Sequence, residues 1–523
     1  MTKLITQLCN SGQQLLLCGG LKGLEKESLR ISKRGEIAQT AHPFALGSAL
    51  THPTITTDYS EALIELITPP FPRITDTLAD LHYNHQFVFQ HLNDEILLSA
   101  SMPCGIQGDE SVQIANYGSS NIGRMKHVYR HGLWHRYGRT MQAIAGIHFN
   151  YSVPDALWPV LHQLTKCTDS LDNFISSRYF SLIRNFQRIG WIILYLFGAS
   201  PALCKQFFNS RPELIDQFER FDEQTLYHPY ATSLRMSDIG YKSQNQAKLN
   251  INYNSLDAYV ESLTAAISTP YAEYEKIGIL VDGIYKQLNS HLLQIENEFY
   301  STIRPKQITH SCEKPTVALK RRGVRYVEMR SLDLDPFLPL GIDESKACFI
   351  EALLLTCLLT DSPLFTEQDE LINNTNQLLV ANEGRKPGVL LQKNKHSISL
   401  TDWAQEVIAS MTPICQILDT QETQQPYQHA LQIAQHCVIH PELTPSARLL
   451  NEMQREAMCF GTFALKHSLA NADYFRSSPL DAEKNQYYQD LAQQSRQQQA
   501  ALEAQPQRPF DQFLTDYFSQ TCS

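Results

Sequence analysis

The 523-residue sequence has no G-x-x-x-x-G-K-[ST] loop, no G-x-G-x-x-G turn opening a helix and no G-x-S-x-G elbow. The first two absences exclude a glycine-rich backbone cradle for phosphates, and the third excludes the nucleophile turn of an α/β-hydrolase. No C-x-x-C pair occurs among its 12 cysteines, whose spacing is irregular. That argues against a disulfide framework or a thiolate zinc site and for reduced, scattered thiols. The most apolar run, Ile189 to Phe197, is shorter than the roughly 20 residues that cross a bilayer. The first twenty residues carry Lys3 as their one basic residue and are broken by Gln7, Asn10, Gln13 and Gln14, unlike a secretory signal. Charged residues are only 19%, with a net charge of −10 and a pI near 6.0. That balance excludes a general nucleic-acid or membrane-surface binder. Together these absences predict a cytoplasmic protein with no nucleic-acid or membrane partner, and a monomer is the expectation taken for its assembly.

What is present is a large core. Apolar residues make up 43% of the chain, and its length exceeds what one core usually serves, so two or more subdomains are expected. From about Leu24 to Asp335, short β-like runs alternate with helical stretches. Beyond about Gly341 the pattern turns helical. Glu344 to Leu359 reads as a helix with an apolar body. Leu400 to Leu418 reads as another, with a kink or break at Pro413. Tyr427 to Ile439 and Ser446 to Leu465 continue the helical character. Tyr487 to Leu502, rich in Gln and Ala, reads as an exposed, fraying terminal helix. The expected division is a mixed catalytic body over residues 1–340 and a mainly helical part over 341–523 packed on it.

Four segments place acidic or metal-capable residues at strand spacing, where i and i+2 share a face. Glu25 and Glu27 alternate with Leu24 and Lys26. His148, Asn150 and Ser152 alternate with Ile147, Phe149 and Tyr151. Tyr326, Glu328 and Arg330 alternate with Val327 and Met329. Asp58 and Glu65 flank a buried-strand pattern from Ala62 to Ile67. One such segment alone is explained by a sheet with one solvated face. The combination points elsewhere, because converging carboxylates repel one another unless cations lie between them. Oxygen-rich ligation suits hard cations, and magnesium in particular works beside phosphates. With no glycine-rich loop, nucleotide phosphates would be held by metal and arginines, for which Arg235, Arg304 and Arg330 are candidates.

Several runs resemble the proteobacterial glutamate–cysteine ligase family. They include Gly23-Leu-Glu-Lys-Glu-Ser-Leu-Arg30, Leu46-Gly-Ser-Ala-Leu-Thr-His52 leading into Thr56-Thr-Asp-Tyr-Ser-Glu61, and Ser101-Met-Pro-Cys104. Tyr117-Gly-Ser-Ser-Asn121, Pro229-Tyr-Ala-Thr-Ser-Leu-Arg235, Leu293-Gln-Ile-Glu-Asn-Glu298 and Ile303-Arg-Pro-Lys306 also match. The resemblance is dense from residue 23 to about 340 and thinner beyond. It implies an α+β fold related to glutamine synthetase, in which a curved, mostly antiparallel sheet forms a funnel-shaped active site. It implies ATP as co-substrate, more than one Mg2+ ion, and L-glutamate and L-cysteine as substrates. The chain looks too short for the added domain of the bifunctional members, so a monofunctional ligase is expected.

By the same resemblance, Glu25, Glu27, Asp58, Glu65, His148 and Glu328 match the family's magnesium-site residues. Arg330 matches an arginine facing the transferring phosphate. Tyr129, Tyr241 and Tyr300 match tyrosines of the cysteine pocket, and Arg235 a substrate-side arginine. Tyr59 stands where relatives often carry Phe. Cys104 has no His–Cys arrangement to activate it and is read as structural. Two other readings stay open at this point: a related ligase joining glutamate to another amine, and a metal-dependent phosphohydrolase using the same acidic face.

Overall fold

The computed structural model describes residues 3–239, 249–394 and 396–521. Its centre is a seven-stranded sheet: β1 (Leu21–Ser32), β2 (Ile55–Thr57), β3 (Leu63–Ile67), β4 (Glu95–Leu97), β5 (Ile147–Ser152), β6 (Ile303–Lys306) and β7 (Tyr326–Leu332). The order is β6–β7–β5–β1–β3–β2, every pair is antiparallel, and β4 pairs the far end of β1. The long β1 is the spine, with a neighbour on each side. The α+β expectation is met: an antiparallel sheet backs a deep cleft, and the C-terminal part is helical.

One face of the sheet is covered by helices Ile74–His91, Leu171–Ile189, Trp191–Phe197 and Glu344–Leu359. Ser170 and Asp343 start two of these by accepting backbone N–H groups of Asn173 and Lys346, which satisfies otherwise orphaned donors. Glu344–Leu359 is buried on every side from Lys346 onward, as an apolar helix at the centre of a large core must be. Val327 and Met329 of β7 and Ile147, Phe149 and Tyr151 of β5 are buried, the alternation their strands predicted. The hydrophobic core is continuous from Leu24 and Phe149 through Leu353 to Phe463 and Ala492, on both sides of residue 340. A small second cluster, Val128, Leu288, Phe510 and Leu514, lies apart from it.

On β1 the pattern of one apolar and one ionisable face fails. The residues alternating with Glu25 and Glu27 include buried cations, each given a partner. Lys22 Nζ lies 2.9 Å from Glu351 Oε1, and Arg30 Nη1 lies 2.5 Å from Glu95 Oε2. Lys26 Nζ lies 2.7 Å from His85 Nε2, while His85 Nδ1 donates to the Leu81 carbonyl. An imidazole gives no compensating charge, and burial pulls the Lys26 ammonium down to about 7. Between there and its ordinary value near 10.5, the unfolded chain holds a proton that the folded chain does not. Stability is therefore expected to fall as pH drops from about 10.5 to about 7 and to level off below. Lys26→Met should flatten that slope in denaturant melts taken across the range, and an unchanged slope would remove Lys26 as its source.

Three helical expectations are corrected. Leu400–Leu418 continues through Pro413. Proline inside a helix costs about 3 kcal/mol, but Met411, Ile414, Cys415 and Leu418 are buried around it and hold the helix together. Ser446 to Leu465 divides into Pro445–Arg455 and Phe460–Ser477, with Ala457 between them at φ +48°. The segment read as a fraying terminal helix is Ala482–Ala504, and it is neither terminal nor wholly exposed. Tyr488 stacks on Phe87, and Ser495 Oγ accepts from the Ser48 amide at 2.9 Å. Gly47 permits that approach, since a Cβ there would stand 2.4 Å from Ser495 Oγ. A further helix, Phe510–Phe518, follows and packs on the second cluster.

Candidate active site

Register assembles the site. Glu27 of β1 stands opposite Glu65 of β3, which stands opposite Thr56 of β2. Glu25 stands opposite His148 of β5. Asn150 faces Glu328 of β7, and Glu328 faces Arg304 of β6. Odd positions of β1 and β3 and even positions of β2, β5, β6 and β7 thus share one side, which floors a cleft of about 1500 Å³. That exceeds the roughly 300–1,000 Å³ of a single-ligand pocket, leaving room for more than one substrate.

His148 is the hub of this floor. Its Nδ1 lies 3.0 Å from Glu25 Oε2 and 3.7 Å from Glu328 Oε1, and its Nε2 lies 3.6 Å from Glu27 Oε1. Asn150 Nδ2 donates to Glu25 Oε1 at 2.9 Å, and the Gly146 amide donates to Glu27 Oε2 at 2.8 Å. Arg330 Nη1 donates to Glu328 Oε1 at 3.0 Å, and Lys306 Nζ lies 3.2 Å from its other oxygen.

Charge is distributed unevenly. Burial pushes the Glu328 carboxyl up, but Lys306, Arg330 and His148 outweigh it and hold the group well below the ordinary range. Burial likewise raises Glu25, and the His148 hydrogen bond brings it below the ordinary value. Glu65 is relieved only in part, by Arg330. Burial and the charges of Glu25, Asp58 and Glu27 drive its carboxyl well above the ordinary range. Among the described residues no ion pair reaches Glu65. Oxygens of Glu25 and Glu65 and a ring nitrogen of His148 lie within 4.8 Å of one another. A half-buried carboxylate with three like-charged neighbours, and no ion pair among the described residues, fits a divalent, oxygen-preferring ion, whose charge would relieve that repulsion.

The other wall is helix Asn121–Tyr137, capped by Ser120. Lys126, Tyr129, Arg130 and Leu133 line the cleft, at the i, i+3, i+4, i+7 spacing of one helix face. Arg130 Nε donates to the Asp58 carbonyl at 2.5 Å, and the Tyr117 hydroxyl donates to that same carbonyl at 2.9 Å. These bonds fix the backbone from which Asp58 enters the cleft. The Lys126 ammonium, pulled down to about 8 by burial, lies 5.1 Å over the Tyr117 ring.

The structure therefore gathers Glu25, Glu27, Asp58, Glu65, His148, Glu328, Arg330, Tyr129 and Tyr300 around one cleft. Arg235 is different: it is buried behind the sheet's β7 side, with Nη2 donating to the Arg330 carbonyl at 3.0 Å. Tyr241 lies outside the described residues. Tyr59 lines the cleft with its hydroxyl buried and unpartnered. Cys104 lies outside the lining, with Sγ 3.2 Å from Cys204 Sγ. Sequence reasoning missed Lys126, Arg130 and Lys306, and also Phe513 and Tyr517 of helix Phe510–Phe518. Lys306 was within reach, being two residues from Arg304 on a strand.

The family model described as glutamate-cysteine ligase matches residues 5–380. The glutamate–cysteine ligase of Alcanivorax borkumensis is 48% identical over 519 residues, covering 98% of each chain. That of Pseudomonas aeruginosa PAO1 is 48% identical over 502 residues, covering 96% of this chain and 94% of its own. Among solved structures, the Francisella tularensis glutamate–cysteine ligase in complex with AMP superposes with a TM-score of 0.90 at 37% identity, covering 96% of this chain and 98% of that one. A bifunctional glutathione synthetase from Pasteurella multocida gives 0.71 at 25% identity, covering 90% of this chain and 55% of that one. The chain belongs to the glutamate–cysteine ligase family.

Proposed function

We propose that this chain joins the γ-carboxylate of L-glutamate to the amino group of L-cysteine at the expense of ATP, through a γ-glutamyl phosphate. The observation that carries the reading is one cleft with two chemically opposite sides. Carboxylates and His148 stand together at Glu25, Glu27 and Glu65, and Arg330, Arg304 and Lys306 stand beside them on β6 and β7. A carboxylate is a poor electrophile and must be activated before an amine attacks it. Phosphorylation by ATP brings two anions together, so the site has to neutralise their repulsion and align them.

Glu25, Glu27, Asp58, Glu65, His148 and Glu328 would hold magnesium, more than one ion in view of their number. Bound there, it supplies positive charge between the carboxylates and the phosphate oxygens. Arg330 presents its fork to the transferring phosphate and then to the oxyanion formed as the cysteine amine attacks. Tyr129, Tyr241 and Tyr300 line the cysteine pocket, and Arg235 serves the substrate side. Residues 1–340 form the catalytic body and 341–523 the helical part packed on it. We place the enzyme in the cytoplasm; no helix among the described residues is long and apolar enough to cross a membrane.

Mass spectrometry of the product from ATP, magnesium, glutamate and cysteine tests the reading, and γ-glutamylcysteine is the expected mass. ATP turnover that needs no glutamate would favour a phosphohydrolase, and preference for another amine would favour a related ligase. Tyr300→Phe keeps the ring and removes a hydroxyl that donates to Met236 Sδ at 2.9 Å. It is expected to raise the KM for cysteine severalfold, about 1 kcal/mol, and those for glutamate and ATP less. Equal shifts in all three would detach Tyr300 from cysteine.

A further inference from the structure

Behind β7 lies a polar cluster around Asp333, a residue that the reaction as described does not use. Asp333, the residue after β7, is buried, and its carboxylate is clamped from three directions. Oδ2 accepts from Ser200 Oγ at 2.6 Å and from the Ala199 amide at 2.9 Å, and Oδ1 accepts from Ser233 Oγ at 3.0 Å. Oδ1 also lies 3.7 Å from Arg235 Nη1. Arg235 is tied on its other sides: its amide donates to Ser200 Oγ at 3.4 Å, and Nη2 donates to the Arg330 carbonyl. Its guanidinium lies against Gly146, where a Cβ would stand 1.9 Å from Nη2. Gly146 is the residue whose amide holds Glu27.

These contacts form a chain from Asp333 to the cleft floor. Ser200, Ser233 and Ala199 fix the carboxylate; the carboxylate orients Arg235; and Arg235 touches the backbone of Arg330 and Gly146, whose amide holds Glu27. A buried guanidinium without a counter-charge is drawn toward other carboxylates, and Glu27 on the cleft side already feels the Arg235 charge. A fixed Asp333 prevents that competition. We infer that Asp333 is a positioning residue of this enzyme: through Arg235 it sets the geometry of the amino-acid side of the cleft and keeps Arg235 from neutralising Glu27. The inference rests on the reading of Arg235 as a substrate-side group.

Asp333→Asn keeps the shape of the side chain and removes the charge. It is expected to raise the KM for cysteine about tenfold, as loss of a supporting partner does, while kcat and the KM for ATP change less than about threefold. Arg235→Met should raise the KM for cysteine at least as much, and the double variant should resemble Arg235→Met alone, since the two changes break one interaction. Ser233→Ala, which removes a single clamp, should move the same constant in the same direction by a smaller factor. It supplies the reading if Asp333→Asn does not fold. A normal KM for cysteine in Arg235→Met would overturn the substrate-side reading of Arg235. An impaired Arg235→Met with a normal Asp333→Asn, or a normal Ser233→Ala where Asp333→Asn cannot be purified, would overturn the role of Asp333. So would effects that multiply in the double variant.

Discussion

Arg330→Lys is expected to lower kcat about 10²-fold, the scale seen when one preorganised donor to a developing charge is removed, with a smaller change in the KM for ATP. The guanidinium is pinned by Glu328 at 3.0 Å and lies 3.4 Å from His148 Nδ1. Its backbone amide donates to the Thr302 carbonyl at 2.8 Å, so the side chain starts from a fixed point. Burial works against the charge, but Glu328, Glu27 and Glu25 raise it further above its ordinary range, so Arg330 is always a cation. Lysine keeps the charge and loses the planar fork that reaches two phosphate oxygens while one nitrogen holds Glu328. That fork matters most when charge moves onto the transferred group, which is why turnover should suffer more than affinity. Initial rates with each substrate varied in turn decide the matter. Parallel rises in the KM for ATP and glutamate with kcat unchanged would make Arg330 a uniform binding residue instead.

Glu65→Gln should have effects of opposite sign on stability and activity. In the metal-free protein, Glu65 is repelled by Glu25, Asp58 and Glu27, and its carboxyl is raised well above the ordinary range. A carboxyl raised by folding destabilises the fold as pH climbs from the ordinary carboxylate range through the raised value. At neutral pH with chelator, the neutral amide removes that repulsion, and the melting temperature should rise by about 2 °C. Magnesium should then stabilise the variant less than it stabilises the wild type, because ligand binding adds stability in proportion to affinity. Turnover at saturating substrates should fall about 10²-fold, matching the transition-state charge a lost ligand leaves uncompensated. Thermal melts with and without magnesium, paired with kinetics, make the test. A variant that melts lower in chelator, with its magnesium response intact, would show that Glu65 is not a ligand.

The site floor was legible because strand parity is local. Glu25 with Glu27, His148 with Asn150 and Glu328 with Arg330 each share a side by their own spacing, and antiparallel register only had to align the three pairs. The same reasoning said nothing of the partners of Lys22 and Lys26. A strand pattern reports which side a residue faces, but not that Glu351 and His85, hundreds or tens of residues away, will meet it there. The break at Ala457 was hidden because its positive φ falls on a residue type that gives no turn signal. The burial of Tyr488 and Ser495 was invisible in a Gln-rich segment, since it depends on Gly47 and Phe87 from the other end of the chain. Phe513 and Tyr517 reach the cleft by tertiary packing alone.

Helix Phe510–Phe518 rests on the small cluster of Val128, Leu288, Phe510 and Leu514 rather than on the main core. Buried polar groups tie its two ends: Lys314 Nζ donates to the Phe518 carbonyl at 3.1 Å, and just before the helix Asn121 Nδ2 donates to the Arg508 carbonyl at 2.8 Å. A helix held by so few buried apolar groups is expected to open at lower cost than the whole fold, which amide exchange along Phe510–Phe518 would measure. Tyr129, one residue from Val128 in sequence, packs against the same cluster. A ligand that rests on Phe513 or Tyr517 binds only the docked population, and its apparent affinity is divided by the docked fraction. For such a ligand, changes in the packing of four apolar side chains scale affinity without touching a catalytic group, and Tyr129, packed against both this cluster and the main core, joins the two.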